Sequence, residues 1–307
     1  MFSNKLICLL FTSLINFMLA APAKAQKEDL SQVWPAKWIM PQNAPAKAYS
    51  VHHFRRTFFL DSLPSALVVH SSGDMRYQFF VNGRQVCWGP LRGDLRHWYY
   101  ESTDIAPYLV EGRNVLAVLV LNYGAHPPDA QLSVQTGFVL AADDRNFRFL
   151  NSGREWKAMH NRAYSPNKVD REQVAGYYGG GSREQVDGRL YPWGWQDPSY
   201  DDSAWMPAEL IENAYAKSCK WASRWKLTAR ELPHERLGPE RFESVRLPDG
   251  IEIPPPFPQK PEGFTIPAFS RGSFVLDRGH LTTAYPVLSI SGGRDSKMTF
   301  RLKSDNE

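Results

Sequence analysis

Cysteine is scarce in this chain: three occur in 307 residues, and Cys8 lies in the leading segment, leaving Cys87 and Cys219. Two thiols so far apart make no metal site by spacing. They are compatible with one disulfide, or with Cys87 as a buried free thiol on its strand. Charge of one sign is lacking too. The 36 Lys and Arg residues are scattered among 32 Asp and Glu, without the basic stripe of a nucleic-acid binder, so no nucleic-acid partner is expected. Helical periodicity of 3.6 residues is almost absent, and beyond residue 25 no apolar run approaches the ~20 residues a membrane span needs.

The one apolar run comes first. Lys5 precedes Leu6 to Leu19, the run is broken by Thr12, Ser13 and Asn16, and Ala23-Lys24-Ala25 fits a small-x-small cleavage site ahead of Gln26. Residues 1–25 therefore read as a secretory signal peptide, and the mature protein as exported, periplasmic or extracellular. Cleavage would remove Lys5 and Lys24 and no acid, lowering the formal charge of +4 by two.

What is present is strand pattern. Tyr77, Phe79 and Val81 alternate with Gln78 and Phe80 before Asn82-Gly83, the pair a tight type I′ hairpin turn demands. A two-residue loop pairs Val81 with Arg84, Phe79 with Val86 and Tyr77 with Trp88, gathering the aromatics on a face that must be covered. His52 to Leu60 predicts a strand with Phe54, Phe58 and Leu60 on one face and His53, Arg55, Thr57 and Phe59 on the other; alternation there forbids both His52 and His53 from pointing inward. Ala66 to Ser71 predicts another strand. Val115 to Leu121 is apolar on both faces, as in a central strand, and Ala130 to Leu140 alternates Leu132, Val134, Thr136 and Phe138 with polar residues. Short strands at such intervals predict an all-β protein, a jelly-roll (galactose-binding-like) β-sandwich.

The sandwich is expected over residues 26–247, with a long loop region at 151–207 that wraps the core or carries function. A strand over Lys226 to Pro233 belongs to it. Seven prolines from Pro248 to Pro267 predict a stiff linker over 248–267. Beyond it, Ser273–Asp277, Val287–Ser291 and Lys297–Leu302 predict strands of an incomplete second β-domain, 268–307.

Ordered along the chain, several motifs resemble the amino-terminal region of bacterial α-L-rhamnosidases, inverting glycoside hydrolases with an (α/α)6 catalytic barrel. They are Trp34-Pro35-Ala36-Lys37-Trp38-Ile39, Arg76-Tyr77 with Val81-Asn82-Gly83 and Gly89-Pro90, and Gly112-Arg113-Asn114-Val115. Asp201-Asp202-Ser203-Ala204-Trp205, Arg230-Glu231-Leu232-Pro233 and Leu276-Asp277-Arg278-Gly279 continue the series. The resemblance implies accessory β-domains, some of them sugar-binding, ahead of a catalytic barrel. No long helical stretch follows, so the family's general acid and base have no counterpart and a truncated, non-catalytic chain is expected. The alternative is a stand-alone lectin-like protein.

Inverting hydrolysis needs two carboxyls ~6.5 to 9.5 Å apart. Asp201 and Asp202 are adjacent and read instead as a turn, while Glu231, Glu235 and Glu240 alternate with arginines as solvated ion pairs. No catalytic residue, metal ligand or cofactor site is assigned. Carbohydrate, a rhamnose-containing glycan, is the expected partner, along with a catalytic barrel, because aromatic rings stack on the apolar faces of pyranoses. The candidate platforms are Trp98, Tyr99 and Tyr100; Tyr177 and Tyr178 beside Gly179-Gly180-Gly181; and Trp193 and Trp195. Trp88 is set aside as buried by the hairpin register.

Overall fold

The computed structural model describes residues 26–167, 179–221, 223–234, 238–282 and 284–300. The chain divides after Pro233 into two units. In the first, strands run in the order β1 (Val33–Met40), β2 (Ser50–Leu60), β3 (Val68–Gly73), β4 (Arg76–Val81), β5 (Arg84–Gly89), β6 (Trp98–Asp104) and β7 (Gly112–Asn122). There follow β8 (Phe138–Ala142), β9 (Lys157–Asn161), β10 (Tyr164–Asn167), β11 (Arg183–Val186), β12 (Met206–Pro207), β13 (Glu209–Tyr215) and β14 (Leu227–Ala229). Among the described residues they form two six-stranded sheets, ordered β13-β1-β8-β3-β6-β14 and β12-β9-β2-β7-β4-β5, with β10 and β11 as a separate pair. The all-β sandwich expected from the sequence is the fold.

Apolar side chains from both sheets meet between them: Ile39, Val69, Phe138 and Leu140 from the first, and Phe54, Phe58, Phe79, Val118 and Val120 from the second. As expected of a central strand, β7 lies between β2 and β4 and is covered on both sides. The hairpin turn also forms, with φ of 50° at Asn82 and 82° at Gly83. Its register differs from the simple expectation. A bulge between Phe79 and Phe80 pairs Phe79 with Cys87 and Tyr77 with Gly89. One extra residue swings Cys87 into the core and leaves Trp88, opposite Gln78, half-buried. Cys87 and Cys219 are both buried free thiols, and burial pushes the Cys87 thiol up to about 11.

Both outer faces are also covered. Over the first sheet, Trp38 stacks on Trp225 at 4.3 Å among Trp34, Trp98 and Leu227. Over the second, the segment 187–205 folds back so that Trp195 and Trp205 pack on Phe80 and Ala117. Arg55 is the clamp for that segment. Buried at 1% exposure, it donates Nε to Asp202 Oδ2 at 2.9 Å and its terminal nitrogens to the carbonyls of Trp195, Asp197 and Tyr200. Lys157 Nζ holds the other oxygen of Asp202 at 2.7 Å. His52 and His53 keep the opposite faces that alternation requires, and both are buried because segment 187–205 covers the face on which His53 lies.

The second unit pairs β15 (Ser244–Asp249) with β16 (Ser273–Asp277). Phe257, Phe264 and Phe274 meet edge to face inside it, and Arg278 bridges Glu240 and Glu243. The proline-rich stretch thus lies within this unit, between its two paired strands, rather than between domains. Residues 287–291 and 297–300, expected as strands, form none, and residues 301–302 lie outside the described residues.

Candidate functional site

Trp98, Tyr99 and Tyr100 sit at the start of β6, where alternation sends neighbours to opposite faces. Trp98 is buried in the outer layer, its Nε1 donating to the Gly73 carbonyl at 3.3 Å. Tyr100 lies edge-on to Trp34 at 4.9 Å and to His70 at 5.5 Å, half-buried. Tyr99 points the other way and meets a tight turn. A Cβ at Gly93 would lie 2.1 Å from the His97 carbonyl and 2.9 Å from the Tyr99 ring, so only glycine lets this backbone lie against the ring. Asp94 caps the turn, with Oδ1 accepting the amides of Arg96 at 2.7 Å and His97 at 2.9 Å, and His97 Nδ1 at 3.0 Å. The His97 side chain, then these amides, hold the Asp94 carboxyl below its usual range, so it is ionised.

Arg92, Gly93, Asp94, His97, Tyr99 and Ala130 line an open depression of about 390 Å³. A smaller recess beside it is walled by Pro90, Leu91, Trp98, Gln131 and Leu132 as well. Arg92 Nη1 crosses to the Asp129 carbonyl at 2.9 Å and ties the two walls together. The second wall is loop. Residues 130–136, expected to begin a strand, form none; the Thr136 amide goes to the Ala46 carbonyl, and Ser133, Val134 and Gln135 turn to Asp74. Its Oδ2 accepts the amides of Val134 at 2.8 Å and Gln135 at 3.2 Å and the Trp225 indole N–H at 3.0 Å, and Ser133 Oγ donates to its Oδ1. Gln131 Nε2 reaches the Met75 carbonyl at 3.3 Å.

The arrangement offers a ring face, an anionic acceptor, an imidazole and a guanidinium at one mouth. Groups of these kinds can hold a hydroxyl-rich ring. Of the other sequence candidates, Trp193 is 71% exposed, with its Nε1 donating to the Gly188 carbonyl at 2.8 Å and its ring 4.7 Å from Tyr191. Trp195, two residues on, is fully buried against His53 at 4.1 Å. Burial removes Trp98 and Trp195 as platforms, since neither presents a ring face to solvent. Tyr177 and Tyr178 lie outside the described residues. Arg92, Asp94 and His97 escape a reading based on aromatics. Their one signal is the Asp-x-x-His spacing after Gly93, which reads as a break in strand pattern.

The Asp201-Asp202 pair makes the expected turn, with Asp201 Oδ1 accepting the Ser203 amide at 2.9 Å, and Asp202 is spent on Arg55 and Lys157. Among the described residues no group of three or more His, Cys, Asp or Glu side chains is placed to hold a metal ion. No helix among them is long and apolar enough to cross a membrane.

The model of the α-L-rhamnosidase N-terminal domain family matches residues 64–224, more than half of the chain. The GH78 family rhamnosidase of Bacillus sp. GL1 is similar over 69% of this chain and 22% of its own, at 27% identity and a TM-score of 0.56. More distant likenesses include the α-L-rhamnosidase of Dictyoglumus thermophilum, at 20% identity over 65% of this chain and 22% of that one, TM-score 0.46. Another is the Streptomyces avermitilis α-L-rhamnosidase complexed with L-rhamnose, at 18% identity over 76% and 18%, TM-score 0.40. The chain spans about a fifth of the length of these structures. No curated protein matches it.

Proposed function

Because the chain belongs to the α-L-rhamnosidase N-terminal domain family, we propose that it is a non-catalytic accessory β-sandwich that holds a carbohydrate in the depression beside Tyr99. The observation that carries this reading is the convergence of Tyr99, Arg92, Asp94 and His97 on one open, rigidly walled mouth. A pyranose laid on the Tyr99 ring places its apolar C–H face against the π-system. His97, whose Nδ1–H goes to Asp94, offers Nε2 as an acceptor, while the Asp94 carboxylate accepts from two ring hydroxyls and Arg92 donates to others. Those of Asp94 and Arg92 are charge-assisted bonds, stronger than neutral ones.

Rhamnose is the sugar the family relationship favours, since its 6-methyl group adds apolar surface to the stacked face. Lack of catalysis is favoured by Asp94 being the one carboxyl among the described residues that lines the mouth. Asp94 is held ionised by its turn, and Asp202 is held below its usual range by Lys157 and Arg55 against the opposing effect of burial. An inverting hydrolase needs one carboxyl protonated beside another that is not. An open site contacting one ring gives weak binding, on the order of millimolar. Calorimetric titration of the chain with L-rhamnose and rhamnosyl oligosaccharides tests the reading. Saturable heat that disappears in Tyr99→Ala and in Asp94→Ala is expected, and heat unchanged by both substitutions would refute it.

A further inference from the structure

Each wall of the Tyr99 depression hangs from a buried carboxylate that never reaches the mouth. Asp74 is fully buried and collects the four donors of Ser133, Val134, Gln135 and Trp225, which fixes the loop carrying Ala130, Gln131 and Leu132. Glu101, also fully buried, accepts the Leu91 amide at 2.7 Å, fixing Pro90 to Arg92, and meets Arg230 Nη1 at 3.4 Å. A Cβ on Gly89 would strike the Glu101 side chain at 2.8 Å, so this wall is seated directly on it. Burying a carboxylate costs far more than an apolar contact would and is offset by donors brought to it. Asp74 draws three of its four donors from one wall, and Glu101 Oε1 takes the Leu91 amide of the other.

We propose that Asp74 and Glu101 are positioning residues of the carbohydrate site, Asp74 holding the 130–135 wall only while it is ionised. This rests on the reading of the depression as a sugar site. Ionised, Asp74 only accepts, which matches four donors. Protonated, one oxygen becomes a donor, and Ser133 Oγ is the one partner able to turn and accept from it. The three N–H groups on Oδ2 then face a neutral, weaker acceptor. Burial pushes the Asp74 carboxyl up to about 6 against the lowering effect of its four donors, which sets the loosening in mild acid. The charged group beside this cluster is Arg224, lying over the Trp225 ring, bonded to Gln135 Oε1 and neutralised by Glu212. At the mouth itself His97 and Asp94 face the ligand.

The test has one arm without sugar. Amide exchange at Val134 and Gln135 at pH 7 should be about tenfold faster in Asp74→Asn than in the wild type, with the gap closing by pH 5, as expected for an opening that loses a charged acceptor. Equal protection at both pH values would overturn the proposal whether or not sugar binds. In the second arm, L-rhamnose affinity is measured from pH 7 to 5 in a His97→Gln background, which removes the other titrating group. It should fall about fivefold, the worth of one ordinary hydrogen bond, and the fall should vanish when Asp74→Asn is added. Ser133→Ala removes a bond that favours the ionised form, so it should move the acid step to higher pH. This variant serves if Asp74→Asn does not fold. A step unmoved by Ser133→Ala, or one that survives Asp74→Asn, would contradict the assignment.

Discussion

The space between the sheets and the layer over the outer face of the second sheet are held by opposite chemistry, although β2 supplies side chains to both. Facing inward, Phe54 and Phe58 meet Phe138, Leu140 and Val118 with no polar group among them. Facing outward, His53, Arg55 and their partners Asn161, Asp202 and Trp195 form a dry polar layer closed by segment 187–205. Asn161 Nδ2 donates to His53 Nε2 at 2.8 Å, and Asn161 Oδ1 takes the Ala163 amide at 2.9 Å. The difference teaches where each layer gets its specificity. The inner one is held by non-directional burial, which tolerates repacking at constant volume. The outer one depends on directed bonds to single groups, and a loop clamped in this way keeps its backbone in one place.

Acid should separate the two layers most strongly. Burial holds His52 and His53 down to about 3, so both stay neutral in the folded protein. Their folded values lie below the unfolded 6.5, so the unfolded chain binds more protons between those limits and stability falls as pH drops from about 6.5 towards 3. Asp74 acts with the reverse sign. Its folded value of about 6 lies above the usual 3.8, which favours the folded state as pH falls through that interval and offsets part of the loss. Two histidines against one carboxyl leave a net loss of several kcal/mol by pH 3, measurable as a falling urea midpoint. A midpoint unchanged between pH 6.5 and 4 would break the account of the two buried histidines, His53 under segment 187–205 and His52 on the side of Phe54.

Substitution comes next in size. Phe54→Ala, emptying a fully buried position, should cost about 3–5 kcal/mol of global stability. Arg55→Lys keeps the charge but has three donors where the guanidinium has five, and should cost about 2–3 kcal/mol. The two losses should differ in place. Limited proteolysis of Arg55→Lys is expected to cut first within 187–205, while Phe54→Ala loses all regions together. The smallest effect is expected at Lys157, 40% exposed in its pair with Asp202. Lys157→Ala should cost below about 1 kcal/mol, because Arg55 still neutralises Asp202. A loss equal to that of Arg55→Lys would mean the clamp is shared rather than owned by the arginine.

The inner layer was legible in the sequence, since alternation along β2, β4 and β7 and the Asn82-Gly83 turn follow from local preference. The outer layer was not. His53 and Arg55 occupy positions that read as solvent-facing, and only a segment 140 residues away along the chain, with Trp195 in it, makes them buried. The bulge at Phe79-Phe80 has no composition of its own, so the hairpin register slipped by one residue. The 130–136 loop misled for a related reason: Leu132 and Val134 alternate like a strand, but a distant buried carboxylate takes the amides of Val134 and Gln135 from the ladder. Of the site, Tyr99 stood out as an aromatic. Arg92, Asp94 and His97 gained meaning only when Gly93 was seen to press their turn against its ring.

Nuclear magnetic resonance of the labelled chain during titration with an aryl α-L-rhamnoside tests the central claim most directly, because it reports the place of binding and the fate of the ligand together. Shifts confined to Arg92–Tyr99 and Ala130–Leu132, with the glycoside intact throughout, are the result expected. Growth of free L-rhamnose signals, or shifts centred elsewhere while those residues stay unmoved, would contradict it.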